Sequence, residues 1–178
     1  MASYSLEAFE KVENIALVAA VEDISATRIN IAFWVTDPYQ QIIYPESLAQ
    51  AERRDYLWEQ TCFEIFLGIQ QQDAYREVNL ATSGAWQIYQ FEEYRYPDTM
   101  PPAYAQDVEI VQFQRTKYGL NVVLDLKHWL LVNKVKLNEV YLGLTAVIQT
   151  KSQNYHFAMQ HSTQNADFHN KRDWLHSF

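Results

Sequence analysis

LWEQTCFEIFLGIQQQDAYREVNLATSGAWQIYQFEEYR, residues 57–95, decides the fold. It holds three runs of alternating apolar residues: Thr61 to Ile69, Tyr75 to Leu80 and Ala85 to Phe91. Polar turn clusters separate them, at Gln70 to Asp73 and at Thr82-Ser83-Gly84. Period-two alternation marks half-buried strand, and connections this short join antiparallel neighbours. The stretch therefore predicts a three-stranded meander. On the first strand Phe63, Ile65 and Leu67 share one face, and Cys62, Glu64 and Phe66 the other. On the second, Tyr75, Glu77 and Asn79 oppose Arg76, Val78 and Leu80. Glu64, Glu77 and Asn79 thus stand where plain sheet packing favours apolar groups. Inward polar groups are costly unless paired or ligand-bound.

Working outward, Ile15 to Val21 and Arg28 to Val35 predict a strand pair. Ile29, Ile31, Phe33 and Val35 lie on one face of its second arm, and Asp37-Pro38 ends that arm. The run Ser47 to Trp58 predicts a few helical turns with Ser47 as N-cap. Tyr96 to Pro102 carries three of the five prolines and reads as a loop. Val108 to Thr116 and Leu120 to Leu126 predict a hairpin about Tyr118-Gly119. Lys127 to Asn133 follows as a short helix, and Val140 to Gln149 with Tyr155 to Gln160 as another hairpin. The tail from Ser162 is polar, with aromatics at Phe168, Trp174 and Phe178. No repeat or linker interrupts the chain, so 1–178 reads as one domain. About eight to ten short strands at this spacing predict an all-β, antiparallel β-sandwich of immunoglobulin-like or jelly-roll type, with one or two short helices.

Composition narrows the function. The formal charge is −8, from 14 Lys and Arg against 22 Asp and Glu. A phosphate backbone or an anionic membrane would be repelled, so neither nucleic acid nor membrane is an expected partner. Cys62 is the single cysteine, which excludes an intrachain disulfide and fits a reducing compartment. No charged and apolar leader pattern opens the sequence, and a cytoplasmic location is expected. Cys62 reads as a small buried hydrophobe rather than a reactive thiol.

The motifs Leu57-Trp58, Thr61-Cys62-Phe63-Glu64, Tyr75-x-Glu77-x-Asn79, Ser83-Gly84-x-Trp86 and Tyr94-Arg95, with the late Asp167-Phe168-His169, give the chain a family likeness. It resembles the bacterial and cyanobacterial DOMON-like proteins, which are related to DOMON domains and to family 9 carbohydrate-binding modules. The resemblance implies a β-sandwich. It implies a ligand class only loosely, because related domains bind sugars or haem.

Carboxylates and amides make the paired hydrogen bonds that sugar hydroxyls need, and a Trp offers an apolar platform. The expected binding residues are Trp58, Glu64, Glu77, Asn79, Trp86 and Arg95, around a small molecule of saccharide type. Tyr89 is a further platform candidate, although it faces away from Trp86. The bland alternative is an ion pair in which Arg95 or Arg54 neutralises Glu64 or Glu77 inside a closed core. Paired carboxylates also raise glycoside hydrolysis. No glycosidase signature accompanies them, so binding is favoured over catalysis. Two other classes stay open. One is haem or another planar cofactor, through His156, Met159 or His161, although no ligand set is assigned and no cofactor is expected. The other is a protein-interaction or self-association module. No spacing of His, Cys and carboxylates predicts a metal site.

Overall fold

The computed structural model describes residues 1–175, so Phe178 lies outside the described residues. The chain is all-β, with one α-helix among the described residues. Its strands are β1 (Ala2–Ala8), β2 (Ala16–Asp23), β3 (Arg28–Thr36), β4 (Glu52–Arg53), β5 (Cys62–Ile69), β6 (Tyr75–Leu80), β7 (Ala85–Phe91), β8 (Glu109–Thr116), β9 (Gly119–Asp125), β10 (Val140–Gln149) and β11 (Asn154–Ala158). The helix is α1 (Lys127–Asn133), as its sequence predicts.

Two features depart from the expected antiparallel sandwich. The strands join into one sheet, in the order β4-β7-β6-β5-β10-β11-β1-β2-β3-β9-β8. That sheet is also mixed, because β4 runs parallel to β7. The junction is β1, whose Ala2 to Leu6 pair with β2 while Glu7 and Ala8 pair with β11. One strand long enough to serve two neighbours turns two would-be sheets into one. The sheet curls so that its halves share a core: Ile29, Ile31, Phe33, Leu120, Val122 and Leu124 from one side meet Phe63, Ile65, Leu67, Val78, Leu142 and Leu144 from the other. Phe33 and Phe63 touch across it, ring centroids 5.1 Å apart.

The meander forms as its alternation requires. Neither β1 nor the pairing of β10 with β5 is legible in local pattern, because both depend on partners distant in sequence. The expected helical turns over Ser47 to Trp58 are replaced by β4 and a 3-10 turn at Leu57–Glu59. That segment has no apolar stripe to bury, whereas Glu52 and Arg53 find backbone partners at Ala85 and Trp86. The Ser47 hydroxyl accepts from Arg115 instead of capping a helix. Helix α1 starts where Asp125 Oδ1 accepts the Lys127 N–H at 2.9 Å and ends at Lys134 in the left-handed region. Its Trp129 and Leu130 are buried. Among the described residues no helix is long and apolar enough to cross a membrane.

Gly119 closes the β8–β9 hairpin at φ +155, where an added Cβ would lie 2.0 Å from the Phe33 carbonyl oxygen. That atom belongs to a buried strand and cannot yield. Gly119→Ala should lower stability by about 1–3 kcal/mol, read as a drop in the urea midpoint at unchanged slope.

Candidate ligand-binding site

The meander and β10 have a second face, turned away from the main core. Register arranges its side chains in rows across the four strands. Gln87 on β7 faces Asn79 on β6, Asn79 faces Glu64 on β5, and Glu64 faces Thr145 on β10. This polar row is buried, with Glu64 3% and Asn79 0% exposed. The next row is Tyr89, Glu77, Phe66 and Gly143, and the one beyond it Phe91, Tyr75, Gly68 and Tyr141. An aromatic cluster thus adjoins a carboxyl-bearing strip.

Two segments cover this face. The first follows β7. Arg95 takes φ 53 in a tight turn in which the Glu92 N–H donates to the Tyr96 carbonyl, and its own N–H donates to the Tyr75 hydroxyl at 3.1 Å. The second is the chain after β11. Trp174 lies over Gly68 and Gly143, where an added Cβ would meet its ring at 3.1 and 2.6 Å. Only a glycine pair leaves room for an indole this close to two strands. The Trp174 Nε1–H donates to the Phe168 carbonyl at 2.8 Å. Backbone hydrogen bonds between Leu175 and Leu142 extend the edge of β10 beside it. The Lys171 ammonium donates to the Gln72 carbonyl at 2.9 Å and to that of Asp73. Asp167 joins the two covers, accepting from Arg95 Nη2 at 3.0 Å, Tyr94 Oη at 2.9 Å and its own segment's His169 N–H at 3.2 Å.

Between these covers and the sheet lies a pocket of about 310 Å³. Glu64 and Glu77 line it from the sheet. Trp58, Phe91 and Phe168 supply aromatic surface, Arg95 to Pro102 one rim, and Val147 with His156 the opposite side. Trp58 is set edge-on against Tyr89 and Tyr56, at 5.7 and 5.5 Å. Asp55 anchors Tyr89, Tyr104 and Gln87 beneath it. The Glu10 carboxylate holds His156, with one oxygen 2.6 Å from Nδ1 and the other accepting the His156 N–H at 2.7 Å.

Burial dominates the electrostatics. It pushes Glu77 up to about 7, against the Asn79 amide and the Arg95 charge. Burial, then the neighbouring Glu77, raise Glu64 well above the ordinary carboxylate range; Thr145 and Arg95 oppose them. Burial, then Arg95, pull His169 down to about 3, so its ring is neutral at ordinary pH. Its Nδ1 sits 2.6 Å from the Tyr75 hydroxyl, which already accepts from Arg95. We assign the tyrosine proton to that bond, which leaves the imidazole proton on Nε2, 3.7 Å from Glu77. Burial would raise Asp167, but its bonds to Arg95 and Tyr94 hold it below its ordinary value.

Of the six residues singled out in the sequence, Trp58, Glu64, Glu77 and Arg95 converge on this pocket. Asn79 lies in the same buried strip and donates to Glu77 Oε1 at 3.0 Å. Trp86 falls elsewhere. Strand parity turns it to the other face of β7, where it packs against the main core under the Arg53 guanidinium, 4.4 Å from its ring. Neither expected arginine pair forms: Arg95 goes to Asp167 and Arg54 to Glu52. Of the residues weighed for haem, Met159 packs against the main core and the His161 Nε2 bonds the Glu7 carbonyl, while His156 lines the pocket. Cys62 is fully buried, and burial, then Glu64, push its thiol well up. Among the described residues no cluster of His, Cys, Asp and Glu could hold a metal ion. Sequence reasoning missed Phe91 and the Pro97 to Pro102 rim. The cluster of three prolines was the available signal for a rigid loop beside the site.

No protein-family model and no curated protein sequence matches the chain. In three dimensions it is similar to the crystal structure of a "putative carbohydrate-binding protein" from Bacteroides uniformis. The TM-score is 0.67 at 10% identity, covering 98% of this chain and 84% of that one. At that identity the likeness shows a shared fold.

Proposed function

We propose that the chain is a DOMON-like module that binds a small saccharide in this pocket without transforming it. The observation that carries the reading is the pairing of two buried carboxyls with aromatic walls in one pocket. A pyranose has an apolar face for Trp58 and Phe168 and hydroxyls that bond to Glu64 and Glu77. The motifs behind the DOMON-like resemblance are scattered from Leu57 to His169, and most of them supply pocket residues, which supports treating them as one functional set. The fold shared with a protein described as a "putative carbohydrate-binding protein" supports the same ligand class. Trp58, Glu64, Glu77 and Arg95 are the proposed contacts, with Asn79 positioning Glu77. For a cytoplasmic protein, a soluble sugar or glycoconjugate is the fitting target.

A thermal melt against mono- and oligosaccharides, with haemin in the panel, tests this. A ligand at ~100 times its dissociation constant adds roughly 2.7 kcal/mol. For a chain of this size that raises the midpoint by about 5–10 °C. Trp58→Ala and Glu64→Gln should each remove most of the rise. A rise with haemin alone would transfer the pocket to a planar cofactor, and no rise with any sugar would sink the saccharide reading.

A further inference from the structure

The basic groups around the pocket are already engaged. Arg95 lies 3.0 Å from Asp167, and His156 is held by both oxygens of Glu10. Lys171 serves the Gln72 and Asp73 carbonyls, and the neutral His169 is bonded to Tyr75. Glu64 and Glu77 remain, and no cation is bonded to either among the described residues. Among the described residues the Thr145 hydroxyl, at a long 3.4 Å, makes the one hydrogen bond to the Glu64 side chain. Glu77 takes the Asn79 amide and faces His169 at 3.7 Å.

A second observation is independent of the acids. Asn79 Oδ1, in a fully buried side chain of the same strip and directly opposite Glu64 in register, accepts no hydrogen bond among the described residues. Buried acceptors without donors are rare and call for a partner. With Glu64 and Glu77 ionised, this strip is rich in acceptors and poor in donors. A hydroxyl brings one donor but also lone pairs needing donors of their own. An alkylammonium brings three donors, no acceptor and a positive charge that favours the ionised carboxylates. The walls fit the same group, because the faces of Trp58, Phe91 and Phe168 attract a cation. We infer that the ligand of this pocket carries a protonated amine seated between Glu64 and Glu77. Taken with the saccharide reading, on which this inference rests, the ligand class is a sugar with a free amino group. Burial favours the protonated form of both carboxyls without ligand, and the arriving cation favours their ionised forms.

The test is a thermal melt of the whole chain at pH 6.5 with D-glucosamine, N-acetyl-D-glucosamine, D-glucose and ethanolamine. D-Glucosamine should act at about 10- to 100-fold lower concentration than D-glucose or the acetylated sugar, the range that charge-assisted hydrogen bonding accounts for. Glu64→Gln with Glu77→Gln should abolish that preference while the far-ultraviolet circular dichroism stays unchanged. If the double variant does not fold, Glu64→Gln alone should cut the preference at least about tenfold. Arg54→Gln should retain it, since Arg54 has Glu52 as its partner and lies outside the pocket. Equal responses to the three sugars overturn the inference and leave the saccharide reading standing, as does a response confined to neutral sugars. A response to ethanolamine with none to any sugar upholds the amine and sinks the saccharide. No response to any of the four overturns the inference, and a preference that survives in the Gln variants removes it from this site.

Discussion

Trp174→Ala is expected to lower the melting midpoint by roughly 6–20 °C, from a loss of about 3–5 kcal/mol at about 2–4 °C for each. The indole is 4% exposed. It packs on Phe66, Tyr75 and Tyr141, with ring centroids 5.3, 5.5 and 5.5 Å away, and holds the Phe168 carbonyl through Nε1. Alanine leaves a cavity over two glycines that have no side chains to fill it. The same change frees Phe168 and His169 from their anchor, so any ligand-induced rise in the midpoint should shrink with it. A partner substitution isolates the cause. Gly143→Ala places a Cβ 2.6 Å from Trp174 Cδ1 and should cost about 1–3 kcal/mol in the wild type. With Trp174 already alanine the clash is gone, and Gly143→Ala should cost little. Additive losses in that double-mutant cycle would show that the indole does not lie where we place it.

Glu77→Gln should be nearly neutral at pH 5 and stabilising at pH 8, the gap opening by about 2–3 kcal/mol. The sign follows from the carboxyl's position. Folded Glu77 is raised to about 7 from an ordinary 4.5. Native protein therefore keeps a proton that the unfolded chain has released, and its stability falls as pH rises from about 4.5 through about 7. Glutamine resembles the protonated acid and has nothing to release. His169 works in the opposite direction. Lowered to about 3, it withholds a proton that the unfolded chain takes up, and so costs stability as pH falls below 6.5. The two contributions flatten the wild-type curve, so the difference between wild type and Glu77→Gln is the quantity to measure. A pair of chemical-denaturation series from pH 5 to 8 that run parallel would mean that Glu77 is ionised throughout, and the buried carboxyl would need a cation we have not identified.

Local pattern made much of the sheet legible. The strands Cys62–Ile69, Tyr75–Leu80 and Ala85–Phe91, the hairpin arms at 109–116 and 119–125, and helix Lys127–Asn133 all follow from alternation, turn chemistry and one short apolar stripe. The same alternation identified the odd polar residues, because Glu64, Glu77 and Asn79 break a period-two rule that their neighbours obey. Parity set Trp86 and Tyr89 on opposite faces but not which of the two faces the pocket occupies. Trp86 is three residues before Tyr89 on a strand, and so turns to the other face.

The sequence by itself determined that this chain is all-β, where its meander runs, and which face of that meander carries carboxyls. Those properties are local, set by the two-residue repeat of a strand and by short connections. Only the tertiary structure decided what covers that face. Asp167, Phe168, His169 and Trp174 arrive there from about ninety residues away, on a tail whose docking depends on two glycines in different strands. It also decided that Arg95 meets Asp167 rather than a glutamate, and that β1 joins both halves into one sheet. Pairings of this kind depend on burial and shape across long sequence separations, and no local pattern of residues records them.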